Sequence, residues 1–299
     1  MKIDLKPGTY IVAVSGGVDS ISLLSLINNN YSKNPDFRFI VAHFDHGIRQ
    51  DSDLDLKLVR KTAKSYGFEF VFEKANLGPK TSEETARKHR YEFLFGVSEK
   101  YQAGAILTAH HKNDLIETAV FNVLRGTGRK GLTSLGSRDL IIRPLLKFSK
   151  AQILRYANKH QLAWREDITN TDLKYSRNLI REELLKKFST AQTKKLESII
   201  KSQHSINQEL DNLLDEFLDT IADEKTIKRQ AINSLPDNLA SEIIAHWLRK
   251  NNLRDFDKKT IQRILSGSRI GTTGSKYDVK HGYFVIVQKE VLALDILER

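Results

Sequence analysis

The chain has 299 residues, 40% of them hydrophobic and 28% charged, a length that fits one large domain and one small one and a mix ordinary for a globular protein. Its formal net charge of +11 raises the handling of a polyanion as an expectation, beside a plain compositional bias. The absence of cysteine excludes disulfides, thiolate metal sites, iron–sulfur clusters and thiol nucleophiles. No apolar run approaches the roughly 20 residues of a membrane span, and the N-terminus lacks a signal-peptide pattern, so no membrane partner and a cytoplasmic location are expected.

Residues 9–14, TYIVAV, read as a buried parallel strand, followed by SGGVDS at 15–20 and the apolar helix ISLLSLI. FRFIVAHF at 37–44 is a second strand. Leu54, Leu58, Thr62 and Tyr66 recur at helical spacing, with Gly67 as the residue past the C-cap. FEFVFE at 68–73 is a third strand, and Thr81 with Glu84 fits a capping box for a helix running to about Tyr101. AILTA at 105–109 is a fourth strand, followed by a helix over about 113–125. DLIIRP at 139–144 is a fifth, stopped by Pro144, and a helix follows over about 149–160. This alternation predicts an α/β fold with a doubly wound, parallel, five-stranded Rossmann-like sheet over residues 1–185.

Past residue 185, Leu196, Ile199, Ile200, Ile206, Leu210, Leu213, Leu214, Phe217 and Ile221 form an apolar stripe at helical spacing. It predicts a connecting helix over 186–222, with the stripe as a packing face. Residues 223–299 read as a small α+β domain, with helices at SEIIAHWLRKNNL and KKTIQRILS and a hairpin of GYFVIVQ with VLALDIL.

Open parallel sheets bind ligands beyond the C-terminal ends of their strands. Ser15, Gly16, Gly17, Val18, Asp19 and Ser20 stand at the first such end. The glycines permit a tight turn, the helix start offers free N–H groups to an anion, and the two hydroxyls can add donors. Asp19 cannot face phosphate alone, which points to Mg2+ between them. The string is neither a Walker A loop nor GxGxxG. His43, Asp45 and His46 stand at the second strand end; His110, His111, Asp114 and Glu117 stand at the fourth. Asp114 and Glu117, three apart, share a helix face, although acids in a first turn also simply complement the dipole. The histidines lack an HExxH arrangement, and hydrogen bonding that holds the strand ends is the alternative to a metal site.

The SGGVDS loop resembles that of the PP-loop ATP pyrophosphatases. With HFDHGIR, EETARKHRYEF, AHHKNDLIET, LRGTGRKGL, RPLL and WREDITNTDLKYSRNLIR in order, residues 9–181 resemble the tRNA(Ile)-lysidine synthetases, in a short form without the last C-terminal domain of longer members. The resemblance implies that ATP adenylates the wobble cytidine of a tRNA(Ile) with a CAU anticodon. The ε-amine of L-lysine then displaces AMP to give lysidine. On this reading Asp114 and Glu117 hold lysine and supply a base, with Asp45 nearby. Arg177 and Arg181 stabilise phosphate charge or contact tRNA phosphate, a solvated helix face being the alternative. Arg125, Arg129 and Lys130 clamp the anticodon loop. Tyr91 and Trp164 are stacking candidates for the target base, with core packing as their alternative. Arg249, Lys250, Arg254, Lys258 and Lys259 of the small domain bind the acceptor side, and a homodimer is expected from the family and the long helix. A tRNA thiolase of the same superfamily conflicts with the absence of cysteine, and NAD or GMP synthetases match the later strings less well. A basic RNA-binding protein with a degenerate nucleotide site conflicts with the intact loop.

Overall fold

The computed structural model describes residues 1–47, 51–78, 81–136, 140–166, 180–253, 256–280 and 282–296. They fall into two compact units, Met1–Gln203 and His204–Arg299.

In the first unit β1 (Gly8–Ala13) is the middle strand because it is apolar on both faces. It is flanked by β2 (Phe37–Asp45) and β4 (Ala105–Leu107), with β3 (Glu69–Lys74) and β5 (Ile141–Ile142) at the edges. The order is β3-β2-β1-β4-β5 and every pairing is parallel, with Ile11 opposite both Ile40 and Ile106. The helices are α1 (Val18–Tyr31), α2 (Ser52–Ser65), α3 (Glu83–Lys100), α4 (Lys112–Leu124), the single turn α5 (Arg129–Leu132) and α6 (Lys150–Lys159). Strand side chains alternate between two layers. Tyr10, Val12, Phe39, Val41 and Leu107 pack with Leu23 and Ile27 of α1, Val59 of α2 and Ile153 of α6. Ile11, Ile40 and Ile106 pack with Leu94 and Val97 of α3. Each such buried aliphatic contributes about 1.5–3 kcal/mol, so the two apolar faces tie helices to both sides of the sheet.

Three expectations shift. Of the fifth strand expected over 139–144, Asp139 lies outside the described residues and the rest contracts to Ile141–Ile142, because Leu140 is exposed in a turn and Pro144 has no N–H for the ladder. The fourth strand ends at Leu107. The cap of α3 is Ser82, whose hydroxyl accepts from the Thr85 N–H at 3.1 Å, while the Thr81 hydroxyl donates to the Leu77 carbonyl. Gly67 follows the α2 C-cap at φ +74°.

A single helix, α7 (Thr190–Ile221), runs through the division between the units. Its apolar stripe splits: Ile200 is buried with Ile116 and Ala119 of α4, while Leu214, Leu218 and Ile221 join the second unit's core. Ile199, Ile206 and Leu213 stay 49%, 54% and 61% exposed, so a packing face describes only part of the stripe. The second unit continues through β6 (Thr226–Lys228), α8 (Arg229–Asn233), α9 (Asp237–Lys250), α10 (Lys258–Ile270), β7 (Lys276–Lys280), β8 (Tyr283–Val287) and β9 (Val291–Ile296). Its antiparallel sheet has the order β6-β9-β8-β7, so the expected hairpin gains a strand on each side. Trp247, Ile244, Ile264 and Val285 are at its centre. Among the described residues no helix is long and apolar enough to cross a membrane.

Candidate active site

The chain leaves β1 toward β2 and reaches β4 only after β3. The connections therefore diverge between β1 and β4, which makes those two strand ends the switch point where open parallel sheets bind ligands. The loop after β1 turns at Gly16, whose φ of +98° suits glycine, and a Cβ there would sit 3.3 Å from the Asp55 Cβ. Gly17 is the N-cap of α1 and brings no side-chain cap, which leaves the first-turn N–H groups to serve an anion. The buried Ser20 hydroxyl accepts from the Ser15 and Gly16 N–H groups at 3.2 Å and donates to the Gly17 carbonyl at 2.9 Å. Ser20 thus braces the loop from inside, while Ser15 is exposed at its surface.

Two residues to which the sequence alone assigns no role, Arg165 and Asp55, support this loop. The Arg165 N–H donates to the Gly16 carbonyl at 3.1 Å, its Nε donates to buried Asp55 at 2.9 Å, and its other arm reaches Asp51. A signal for Asp55 was available. It shares the inward face of α2 with Ser52, Val59 and Ala63, where an unpaired acid would be costly.

At the end of β2, buried His43 donates through Nδ1 to the Val14 carbonyl at 2.8 Å, and its Nε2 has no hydrogen-bond partner. Burial lowers its pKa and favours the neutral ring. Asp45, also buried, accepts from the Gly47 N–H at 2.9 Å through one oxygen. The other oxygen has no hydrogen bond and lies 3.8 Å from Lys74 Nζ. Gly47 has φ +64°, and a Cβ would fall 2.2 Å from the Ala75 carbonyl oxygen. Ile48 and Arg49 of the HFDHGIR string lie outside the described residues.

At the end of β4, the Thr108 hydroxyl lies 2.9 Å from His110 Nδ1. Burial, reinforced by the guanidiniums of Arg143, Arg90 and Arg87, pushes His110 down to about 3. His111 caps α4: its Nδ1 accepts from the Asp114 N–H at 3.4 Å, and Asp114 accepts from the His111 N–H at 2.8 Å. With Nδ1 accepting, the neutral ring carries its proton on Nε2, which lies 3.7 Å from Asp19. His111 therefore stands between the loop acid and the helix acid, hydrogen-bonded to the second. Burial raises the Asp114 pKa, and Glu117 and Asp19 push it the same way against His111. Asp114 is half-buried, whereas Glu117 is buried and held by both arms of Arg181 at 2.8 Å.

Lys150, the first residue of α6, places Nζ at 2.8 and 2.7 Å from the two Asp19 oxygens. No motif in the sequence pairs it with Asp19. A cation at a helix start opposes the dipole, and that misfit was the signal. Asp19 fits a hard cation that arrives with phosphate oxygens and water, which requires only one or two protein carboxylates. Among the described residues no group of three or more His, Cys, Asp or Glu is arranged for a metal ion.

The remaining candidates lie further out. Arg125 is exposed at the C-cap of α4, its guanidinium 5.1 Å from the Phe121 ring, with half-buried Arg129 and Lys130 on the next turn. Eleven residues separate Arg125 from Asp114, about 16 Å along the helix. Tyr91 packs against the α3 core with Arg87 and Arg90 over its ring, and Trp164 packs against the opposite core. In the second unit Arg249 lies over Phe256, Lys250 pairs with Asp219 and Asp215, and Lys258 and Lys259 are exposed. Arg177 and Arg254 lie outside the described residues.

The PP-loop domain family matches residues 2–188. A tRNA(Ile)-lysidine synthase from Thermotoga maritima is 37% identical over 189 residues, which are 60% of this chain and 45% of that protein. The chain thus spans about half the length of that relative. One from Francisella tularensis subsp. holarctica is 27% identical over 298 residues, 96% of this chain and 74% of that one. Among solved structures, the U34-tRNA thiolase NcsA from Methanococcus maripaludis aligns with a TM-score of 0.58 over 68% of this chain and 73% of its own, at 18% identity. That likeness speaks for the fold alone. The family match, covering more than half of the chain and including the braced loop at the switch point, shows that the chain belongs to the PP-loop domain family.

Proposed function

We propose that the chain acts as a tRNA(Ile)-lysidine synthase. ATP adenylates the wobble cytidine of a CAU anticodon with release of pyrophosphate, and L-lysine then displaces AMP through its ε-amine. The observation that carries this reading is the meeting, at the switch point of the sheet, of an anion-ready loop with half-buried Asp114 and buried Glu117, His111 standing between Asp19 and Asp114. The shared likeness to named synthases, one of them along 96% of the chain, supports the same reading.

In this reading the N–H groups at the start of α1 and the exposed Ser15 hydroxyl bind nucleotide phosphates. Asp19 holds Mg2+, which supplies charge neutralisation at the phosphates. Asp114 and Glu117 bind the lysine cation, and the pairing of Glu117 with a guanidinium is consistent with a cation-binding role. The raised pKa of Asp114 suits a residue that takes a proton from the attacking ammonium. Asp45 supports the site from β2, and Arg177 offsets charge on phosphate. Arg181 has the same role or contacts tRNA phosphate once lysine displaces it from Glu117. Arg125, Arg129 and Lys130 position the anticodon loop. On the domain scale, residues 1–185 are catalytic, 186–222 link, and 223–299 bind tRNA. Two copies pair through the exposed Ile199, Ile206 and Leu213 of α7.

The test is label transfer from L-lysine to a CAU-anticodon isoleucine tRNA transcript in the presence of ATP and Mg2+. Transfer that requires ATP and is lost in Asp19→Asn is expected. Pyrophosphate release without lysine transfer would retain adenylation but discard lysine as the nucleophile. A folded protein that does neither would refute the reading.

A further inference from the structure

One strong contact at the loop has no role in the chemistry above. Lys150 Nζ lies within 2.8 Å of both Asp19 oxygens, so the carboxylate is occupied by an ammonium. The backbone at that point is fixed. Ser149 and Gln152 form a capping box at the start of α6, the Lys150 N–H donates to Asn113 Oδ1 at 3.0 Å, and the Lys112 N–H donates to the Phe148 carbonyl at 2.9 Å. These bonds tie the start of α6 to the start of α4, beside the loop. The side chain beyond is a flexible four-carbon stem, 38% exposed, ending in a compact charge that can change partners. Its position does not serve the helix, since a cation in the first turn opposes the dipole.

We propose that Lys150 is a nucleotide-binding residue with two positions. Without nucleotide its ammonium neutralises Asp19. When ATP binds with Mg2+, Asp19 turns to the cation and Lys150 moves to oxygens of the phosphate chain, the part that leaves as pyrophosphate. The same charge that keeps a lone carboxylate from repelling the incoming polyanion then stabilises the polyanion itself. This inference rests on the proposed use of ATP at the loop.

The two positions predict effects of opposite sign. In Lys150→Met, affinity for the Mg2+ complex of α,β-methylene-ATP falls at least about tenfold, the loss expected for a charge-assisted hydrogen bond. Affinity of the nucleotide-free protein for Mn2+, followed by its electron paramagnetic resonance, rises several-fold, because Asp19 is released. Adding Asp19→Asn cancels that rise, and Lys150→Arg restores most of the nucleotide affinity. A merely structural lysine would not tighten metal binding. Circular dichroism melts confirm that each variant is folded, and Lys150→Gln replaces Lys150→Met if the latter is not. Unchanged nucleotide affinity, or Mn2+ affinity that does not rise, overturns the proposal. Wild-type protein that binds no nucleotide overturns the proposed function together with it.

Discussion

At the scale of single residues, the site contains groups that the fold holds against their ordinary ionisation. Asp114 has a raised pKa, so the fold favours its protonated form. The stability it contributes is full at acid pH and is lost as pH rises through the raised value. Once ionised, the carboxylate counts against the fold. Asp114→Asn can still accept from the His111 N–H, so it is expected to melt at or above the wild-type temperature while losing lysine transfer. A melt several degrees lower contradicts this account. His110 runs the other way. Its pKa falls from 6.5 to about 3, so the stability it contributes is present above about pH 6.5 and drains away as pH falls toward 3. The urea midpoint should drop between about pH 7 and pH 5 more steeply in wild type than in His110→Asn. Equal slopes would mean that the ring is protonated in the native state. At Gly47 any Cβ meets the Ala75 carbonyl, so Gly47→Ala should cost at least about 1–2 kcal/mol in denaturant unfolding.

At the scale of elements, the sequence was legible wherever one periodicity ran uninterrupted. Ile11, Ile40 and Ile106 sit in apolar runs bounded by polar turns, which identified three central strands and the loop after β1. The fifth strand is shorter than its apolar run because such a run does not reveal where the backbone turns: the Leu140 carbonyl still accepts from the Ile106 N–H, but its side chain is exposed in a turn. Ser82 displaced Thr81 as a cap because both hydroxyls are chemically able, and only the backbone path chooses between them. The supports Asp55, Arg165 and Lys150 could not be paired by spacing, since 110 residues separate Arg165 from Asp55 and 131 separate Lys150 from Asp19. The long stripe on α7 mixed buried and exposed positions for a similar reason. Its N-terminal half carries Lys194, Lys195 and Lys201, and its C-terminal half carries Glu209, Asp211, Asp215, Glu216 and Asp219. Antiparallel pairing of two such helices would oppose unlike charges across Ile206. Sedimentation equilibrium is expected to give a dimer that Ile206→Lys converts to monomer without lowering the melting temperature, because Ile206 is over half exposed. A wild-type monomer at all concentrations would remove this pairing.

For the molecule as a whole, the net charge of +11 gives any polyanion a favourable approach, but charge alone does not say which cations touch it. Lys250 and Arg249 already have acidic neighbours, whereas Lys258, Lys259 and Arg125 are exposed. Replacing Arg125, Arg129 and Lys130 together by alanine should weaken tRNA binding and lower the slope of log affinity against log salt by about 2. An unchanged slope would place the phosphate contacts elsewhere.

The His111 bridge between Asp19 and Asp114 has a thermodynamic consequence. Two ligands that each disturb one neighbour of a shared side chain are linked, and linkage is reciprocal. Whatever factor nucleotide applies to the lysine dissociation constant, lysine must apply to that of nucleotide. Calorimetric titrations in both orders should return one coupling factor, and His111→Ala, which removes the ring between the two acids, should bring it toward unity.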